Sequence, residues 1–135
     1  MLLGFRNRFA AMVEDGSKTH TIRAPRGRMP SIGEMCHCYV NPRQKTMRLL
    51  GRWPLVKVEE IAIIRAEAGE VLANVEDMIV IDGVRLSFDE ANALAWRDGF
   101  RSRGREWAFD EMLEFWRGRL PFYGHIFHWK REEAR

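Results

Sequence analysis

Apolar and polar positions along this chain repeat with two periods. Phe5, Phe9, Met12 and Val13 recur at helical spacing and predict a helix over residues 5–15, stopped by Gly16. Residues 19–23 are β-prone, yet Ile22 is their one strong apolar residue. Pro25, Gly27, Pro30 and Gly33 mark residues 24–34 as a loop. Strands are expected over 35–40, 46–53 and 55–66, with a turn at 41–45 and a break at Pro54, which cannot donate to a central ladder. Residues 69–74 carry no clear period. Two short strands, 78–81 and 84–86, flank Asp82 and Gly83, the pair that suits a tight hairpin turn. Ser87 and Glu90 have the spacing of a capping box, and the helix they open ends at about Asp98, before Gly99. Its apolar face reads Phe88, Ala91, Leu94 and Ala95. A second helix is expected over 105–117, with Phe109, Met112, Leu113 and Trp116 as its stripe, and a final strand over 122–129.

About six short strands with helices between them predict an α+β fold, a small and partly closed β-barrel with flanking helices. No repeat or linker divides the 135 residues, so one domain is expected over 1–135. With 46% apolar residues the chain is too apolar to be disordered. No apolar run approaches the roughly 20 residues of a membrane span. The opening residues lack the layout of a secretory leader, so a cytoplasmic protein without a membrane partner is expected.

Charge is unevenly spread. Residues 1–30 carry six basic and two acidic side chains, residues 41–57 five basic and none acidic, and residues 58–100 three basic and ten acidic. The basic N-terminal part suits a phosphate-bearing partner.

The segment from Gly16 to Arg23 draws the chemistry together. It places Lys18 in the turn after Gly16, and Thr19, His20, Thr21 and Arg23 in a short strand with little apolar character. A Thr hydroxyl beside a Lys is a nucleophile–base pair once desolvation favours the neutral amine, which makes Lys18 and Thr21 catalytic candidates. Asp98 falls on the inward stripe of its helix and in the last turn, where a negative charge opposes the helix dipole. It therefore needs a cationic partner, and it is the third catalytic candidate. Arg23, Arg26 and Arg28 beside the 24–34 loop, with Thr19, are candidate substrate-binding residues, and Trp53 a candidate platform for a stacked base. Ala11 stands where a phosphate loop would need its first Gly, which excludes that motif. The Cys36-x-Cys38 spacing is not that of zinc ligands, and assigning the two sulfurs to opposite strand faces leaves neither a disulfide nor a metal site expected. No cofactor is called for.

The residues Gly16, Lys18, Thr19, Thr21, Ile22 and Arg23 resemble the signature of ASCH domains, relatives of the PUA fold. Two further stretches agree in order. Gly33 and Glu34 resemble the family's Gly-Asp turn, and Leu94 to Phe100 resembles its helix end, which reads His-Ala-x-x-Glu-Gly-aromatic. The resemblance implies a PUA-like barrel whose cleft receives RNA or a modified nucleoside. In a bacterial branch that removes the acyl group from N4-acetylcytidine, the matching catalytic positions are Lys18, Thr21 and Asp98. Asp98 stands where that branch has Glu, and Leu94 where it has His. Three functions follow: a metal-independent hydrolase such as a ribonuclease, an amidohydrolase of N4-acylated cytidine, or a non-catalytic RNA-binding or interaction module.

Overall fold

The computed structural model describes residues 1–65 and 77–131. The unassigned stretch 69–74 and the end of the strand expected over 55–66 lie outside them. The fold is α+β. Strands β1 (Leu2–Phe5), β2 (His20–Arg23), β3 (Met35–Val40), β4 (Arg48–Ile64), β5 (Met78–Ile81), β6 (Val84–Arg85) and β7 (Phe122–Trp129) accompany helices α1 (Asn7–Asp15), α2 (Phe88–Asp98) and α3 (Ala108–Phe115). A short 3-10 turn, Arg105–Trp107, leads into α3. None of the described helices is long and apolar enough to cross a membrane.

The strands make a seven-stranded sheet of order β1-β3-β4-β5-β6, with β7 paired to β2 and β4. It does not close into the expected barrel. Closure requires two partners for every strand. Among the described residues β1 pairs only with β3, and β6 only with β5. The seventh strand is β1. Phe5 continues the helical stripe of Phe9, Met12 and Val13, but the helix begins at Asn7 and Phe5 belongs to the strand.

The chain divides into two compact units. The first comprises Met1–Thr21, Arg26–Val58 and Phe127–Arg135. Here β1 runs parallel to β3, and β3 antiparallel to β4. Leu3, Phe5, Val13, Cys36, Cys38, Leu55, Phe127 and Trp129 are buried. A buried side chain of Leu or Phe size contributes about 1.5–3 kcal/mol. Residues two apart on a strand point the same way. Cys36 and Cys38 therefore share the buried face of β3 instead of opposing ones, and both are free thiols. Burial pushes the Cys36 thiol up from its ordinary value. The strand expected to break at Pro54 is continuous. Pro54 stands opposite Met35, its carbonyl accepts from Lys130 N–H at 3.1 Å, and Leu55 N–H donates beyond it to the Glu34 carbonyl at 2.8 Å, so the pairing runs through the proline.

The second unit comprises Ile22–Pro25 and Glu59–Ile126. The last residues of β4 pair with β5, and Asp82 and Gly83, both at positive φ (48° and 80°), turn β5 into β6. That is the left-handed pair a tight hairpin requires. The capping box of α2 is formed on both sides: Ser87 Oγ accepts Glu90 N–H at 3.1 Å, and Glu90 Oε1 accepts Ser87 N–H at 2.9 Å. These bonds hold the Glu90 carboxyl below its usual range. Ala91, Leu94 and Ala95 face inward, whereas Phe88, expected beside them, is exposed, with its ring edge-on to that of Phe109 at 6.5 Å between centres. It sits in the first turn, before the helix has reached the core. The stripe of Phe109, Met112, Leu113 and Trp116 is buried as its spacing predicts.

Candidate functional site

Lys18 owes its position to the end of α1. Gly16 takes a left-handed conformation (φ 88°) and reverses the chain. Asp15 Oδ1 accepts Ser17 N–H at 2.7 Å, and Lys18 N–H donates to the Met12 carbonyl at 2.9 Å. The turn folds the Lys18 side chain inward, to 3% exposure, with its Nζ 5.3 Å from the centre of the Phe9 ring. An ammonium over an aromatic face recovers part of the cost of leaving water, about 0.5–2 kcal/mol. The first unit thus supplies both the turn and the ring from one helix.

The strand that follows is buried on both faces. His20, Thr21 and Ile22 are all buried, and Arg23 is half-buried. Thr19 is half-buried, and its carbonyl accepts Trp129 N–H at 3.1 Å. The His20 ring lies 5.5 Å from that of His128 on β7. Lys18, His20 and Thr21 are therefore three buried polar side chains within four residues of one turn and strand, all in the first unit.

Trp53 does not offer the open ring expected of a base platform. It is buried and stacked on Trp129 with centres 6.2 Å apart, and the Arg131 guanidinium lies 5.1 Å from its ring centre. Gly51 is small for the same reason, since a Cβ there would run into the Trp53 ring. Trp53 serves the core of the first unit.

Arg26 and Arg28 are exposed and line an open hollow of about 330 Å³ with Gly27, Pro30 and Glu34. Arg28 Nη2 donates to Glu34 Oε1 at 2.9 Å, and Glu34 Oε2 lies 3.2 Å from the Met1 amino group. The hydrogen bond from Arg28, then that from the amino group, holds the Glu34 carboxyl below its ordinary value. Arg26 and Arg28 are brought together; Arg23 belongs to the second unit.

Asp98 also lies in the second unit, as the last residue of α2, and is buried at 5% exposure. Gly99, at φ 114°, and Phe100 N–H, which donates to the Ala95 carbonyl at 3.0 Å, end the helix above it. The inward stripe read from Ala91, Leu94 and Ala95 thus continues to Asp98.

Two features of the second unit had no clear signal in the sequence. Asn92 is buried and its Oδ1 accepts Phe109 N–H at 2.9 Å. An open hollow of about 280 Å³ is lined by Pro25, Glu60, Val80, Asp82, Tyr123 and His125, among others. Its residues come from separate stretches of the chain, which no local motif can join. Among the described residues no three His, Cys, Asp or Glu side chains converge on a metal position.

No family model, curated protein or solved structure matches the chain.

Proposed function

We propose that this chain is an ASCH-type, PUA-related domain directed at RNA or a modified nucleoside, with a metal-independent hydrolytic centre built on Lys18 and Thr21. The observation that carries this reading is the burial of Lys18 in the turn between α1 and β2, followed by buried His20 and Thr21. Withdrawing an ammonium from water costs several kcal/mol, which a purely structural turn has no need to incur. Three motif positions support the reading from their local conformation. Gly16 and Gly99 are both left-handed caps, and Gly33 takes φ 92° before β3. Asp98, the position the resemblance matches to the family's Glu, is buried at the C-terminus of its own helix in the second unit, which is consistent with a role beyond packing.

In the hydrolytic reaction on an acylated base, Thr21 Oγ1 attacks the acyl carbonyl while Lys18, acting as the neutral amine, accepts its proton. The exocyclic amine leaves with a proton, and water releases the acyl group from Thr21. On RNA, the 2′-OH attacks the adjacent phosphorus as Lys18 takes its proton, the P–O5′ bond breaks, and the 5′-oxygen leaves with a proton, which gives a 2′,3′-cyclic phosphate. Arg26 and Arg28 supply charge for phosphate.

The test is one incubation series in EDTA, with single-stranded RNA and with N4-acetylcytidine, read by gel and by chromatography. Wild type is run beside Lys18→Met and Thr21→Val, with circular dichroism as the check on folding. The expected result is turnover of one substrate, reduced at least 100-fold in folded Lys18→Met. Loss in Thr21→Val as well assigns the acyl chemistry; retention there assigns RNA cleavage. Wild-type turnover in Lys18→Met overturns the centre. Binding without turnover in the wild type overturns the hydrolysis and leaves a recognition module.

A further inference from the structure

The first unit has an outer sheet face that the Lys18 segment does not use. Along β3 the buried residues are Cys36, Cys38 and Val40, so Met35, His37 and Tyr39 point the other way. Antiparallel partners share a face. Tyr39 stands opposite Leu49, His37 opposite Arg52, and Met35 opposite Pro54. The register slips by one residue at Cys38 and Tyr39, which turns Leu50 into the core and Leu49 outward. Leu2 is 51% exposed, Met35 41%, Leu49 36% and Val56 45%, and Arg52 is exposed among them. His37 and Tyr39 are half-buried. Two rings, a guanidinium and several apolar side chains thus lie on one surface.

Charge selects the occupant. On the β4 side of this face the charged residue is Arg52; Arg48, opposite buried Val40, turns the other way and is ion-paired with Glu14. Glu34, the carboxylate nearest in sequence to the start of β3, is already engaged by Arg28. The hollow beside it presents Arg26 and Arg28 to solvent. The outward residues named above include no carboxylate, so a second copy of the same face would bring Arg52 no counter-charge. An oligonucleotide brings phosphates to Arg52 and bases to the rings. The rings are two residues apart on one strand, about 7 Å, which seats two successive bases separately. Stacking on a sheet needs unpaired bases, and a duplex hides them.

We propose that the outer face of β1, β3 and β4 in the first unit is a landing surface for single-stranded nucleic acid. Tyr39 and His37 stack on bases, and Arg52 holds phosphate. The inference extends the nucleic-acid side of the function proposed above but stands on the sheet face alone, not on Lys18.

Fluorescence anisotropy of a labelled 12-nucleotide single-stranded RNA decides it. Tyr39→Ala is expected to weaken binding about tenfold and Tyr39→Phe to restore it. Arg52→Ala is expected to lower the slope of affinity against salt by about one, and Arg52→Glu to weaken binding further. Wild-type affinity in both Tyr39→Ala and Arg52→Glu overturns the proposal, as does equal affinity for duplex of the same length. A change in oligomeric mass in Arg52→Glu, with RNA affinity unchanged, also overturns it and makes the face an interface between copies. Arg52 is exposed, so Arg52→Glu reports even if Tyr39→Ala does not fold. Loss of turnover in Lys18→Met beside wild-type binding in Tyr39→Ala and Arg52→Glu refutes the sheet face and keeps the hydrolytic centre; the converse refutes the centre alone.

Discussion

Helix α3 begins without a cap of its own, and Asn92 supplies one from α2. Trp107, at the cap position, provides no side-chain acceptor for the first turn. The amide of Phe109, the second residue of the helix, is an orphan donor unless another element meets it. Asn92 Oδ1 does so at 2.9 Å, from 17 residues away and inside the second unit. Asn92→Ala therefore removes a cap and leaves a buried N–H with no acceptor. A lost cap costs about 0.5–2 kcal/mol, and an unsatisfied buried donor about 1–3 kcal/mol. These describe the same bond, so they do not add, and about 2 kcal/mol is expected for the substitution. With a urea slope of about 1–3 kcal/mol per molar, the unfolding midpoint should fall by about 1 M. The slope itself should not change, because the area exposed on unfolding is nearly the same. Native-state hydrogen exchange gives the local readout, in which the Phe109 amide loses protection more than its neighbours do. Asn92→Asp keeps the acceptor and adds negative charge at the start of α3, so it should lie closer to wild type than Asn92→Ala. A midpoint shift in Asn92→Ala worth less than about 0.5 kcal/mol, with Phe109 still protected, would refute the capping role.

The remaining predictions concern other parts of the fold. Glu90 titrates below its ordinary value near 4.5 because it accepts from Ser87, so its contribution is fully present above that value and is lost as pH falls through the lower folded value. Glu90→Gln keeps the capping hydrogen bond and should flatten this acid slope in urea titrations between pH 3 and 6, whereas Ser87→Ala should cost about 1 kcal/mol at neutral pH. A Cβ on Gly124 would run into the backbone carbonyl of Arg23, which no rotamer change relieves, so Gly124→Ala should cost about 3 kcal/mol or prevent folding, and Gly27→Ala, in open space, should not. Cys36 and Cys38 are buried and the Cys36 thiol is pushed up by burial, so a thiol reagent should label neither in native protein and both in urea.

Elements with a local signal were legible in the sequence. The capping box at Ser87, the Asp82-Gly83 turn, the Gly16 stop and the stripes of α2 and α3 depend on residues within one turn or hairpin, and they appear in the structure. Features set by distant partners were not. β1 was hidden because Phe5 fits a helical period as well as a strand. Pro54 sits inside a continuous strand because its neighbours Trp53 and Leu55 are held by Cys36 and Glu34, partners no single segment reveals. The arrangement of pairing partners, which leaves β1 and β6 each with one neighbour among the described residues, decided against closure. Of the candidate site, Lys18 was visible as a cation in the turn before a strand short of apolar residues, Thr21 as a hydroxyl within that strand, and Asp98 as a carboxylate on an inward stripe; all three are buried. Trp53 was misjudged because its neighbours in sequence, Arg48 and Arg52, suggested a basic surface. Its neighbour in space is Trp129.

The most direct measurement on the central claim is amide chemical-shift mapping with N4-acetylcytidine and with a short single-stranded RNA. Binding at the proposed centre predicts that the amides from Lys18 to Thr21 shift saturably with at least one of the two ligands, and that Lys18→Met abolishes those shifts while the rest of the spectrum stays folded. If both ligands leave residues 18–21 unmoved, or if Lys18→Met shifts as the wild type does, Lys18 is a buried structural lysine and the proposed function is wrong.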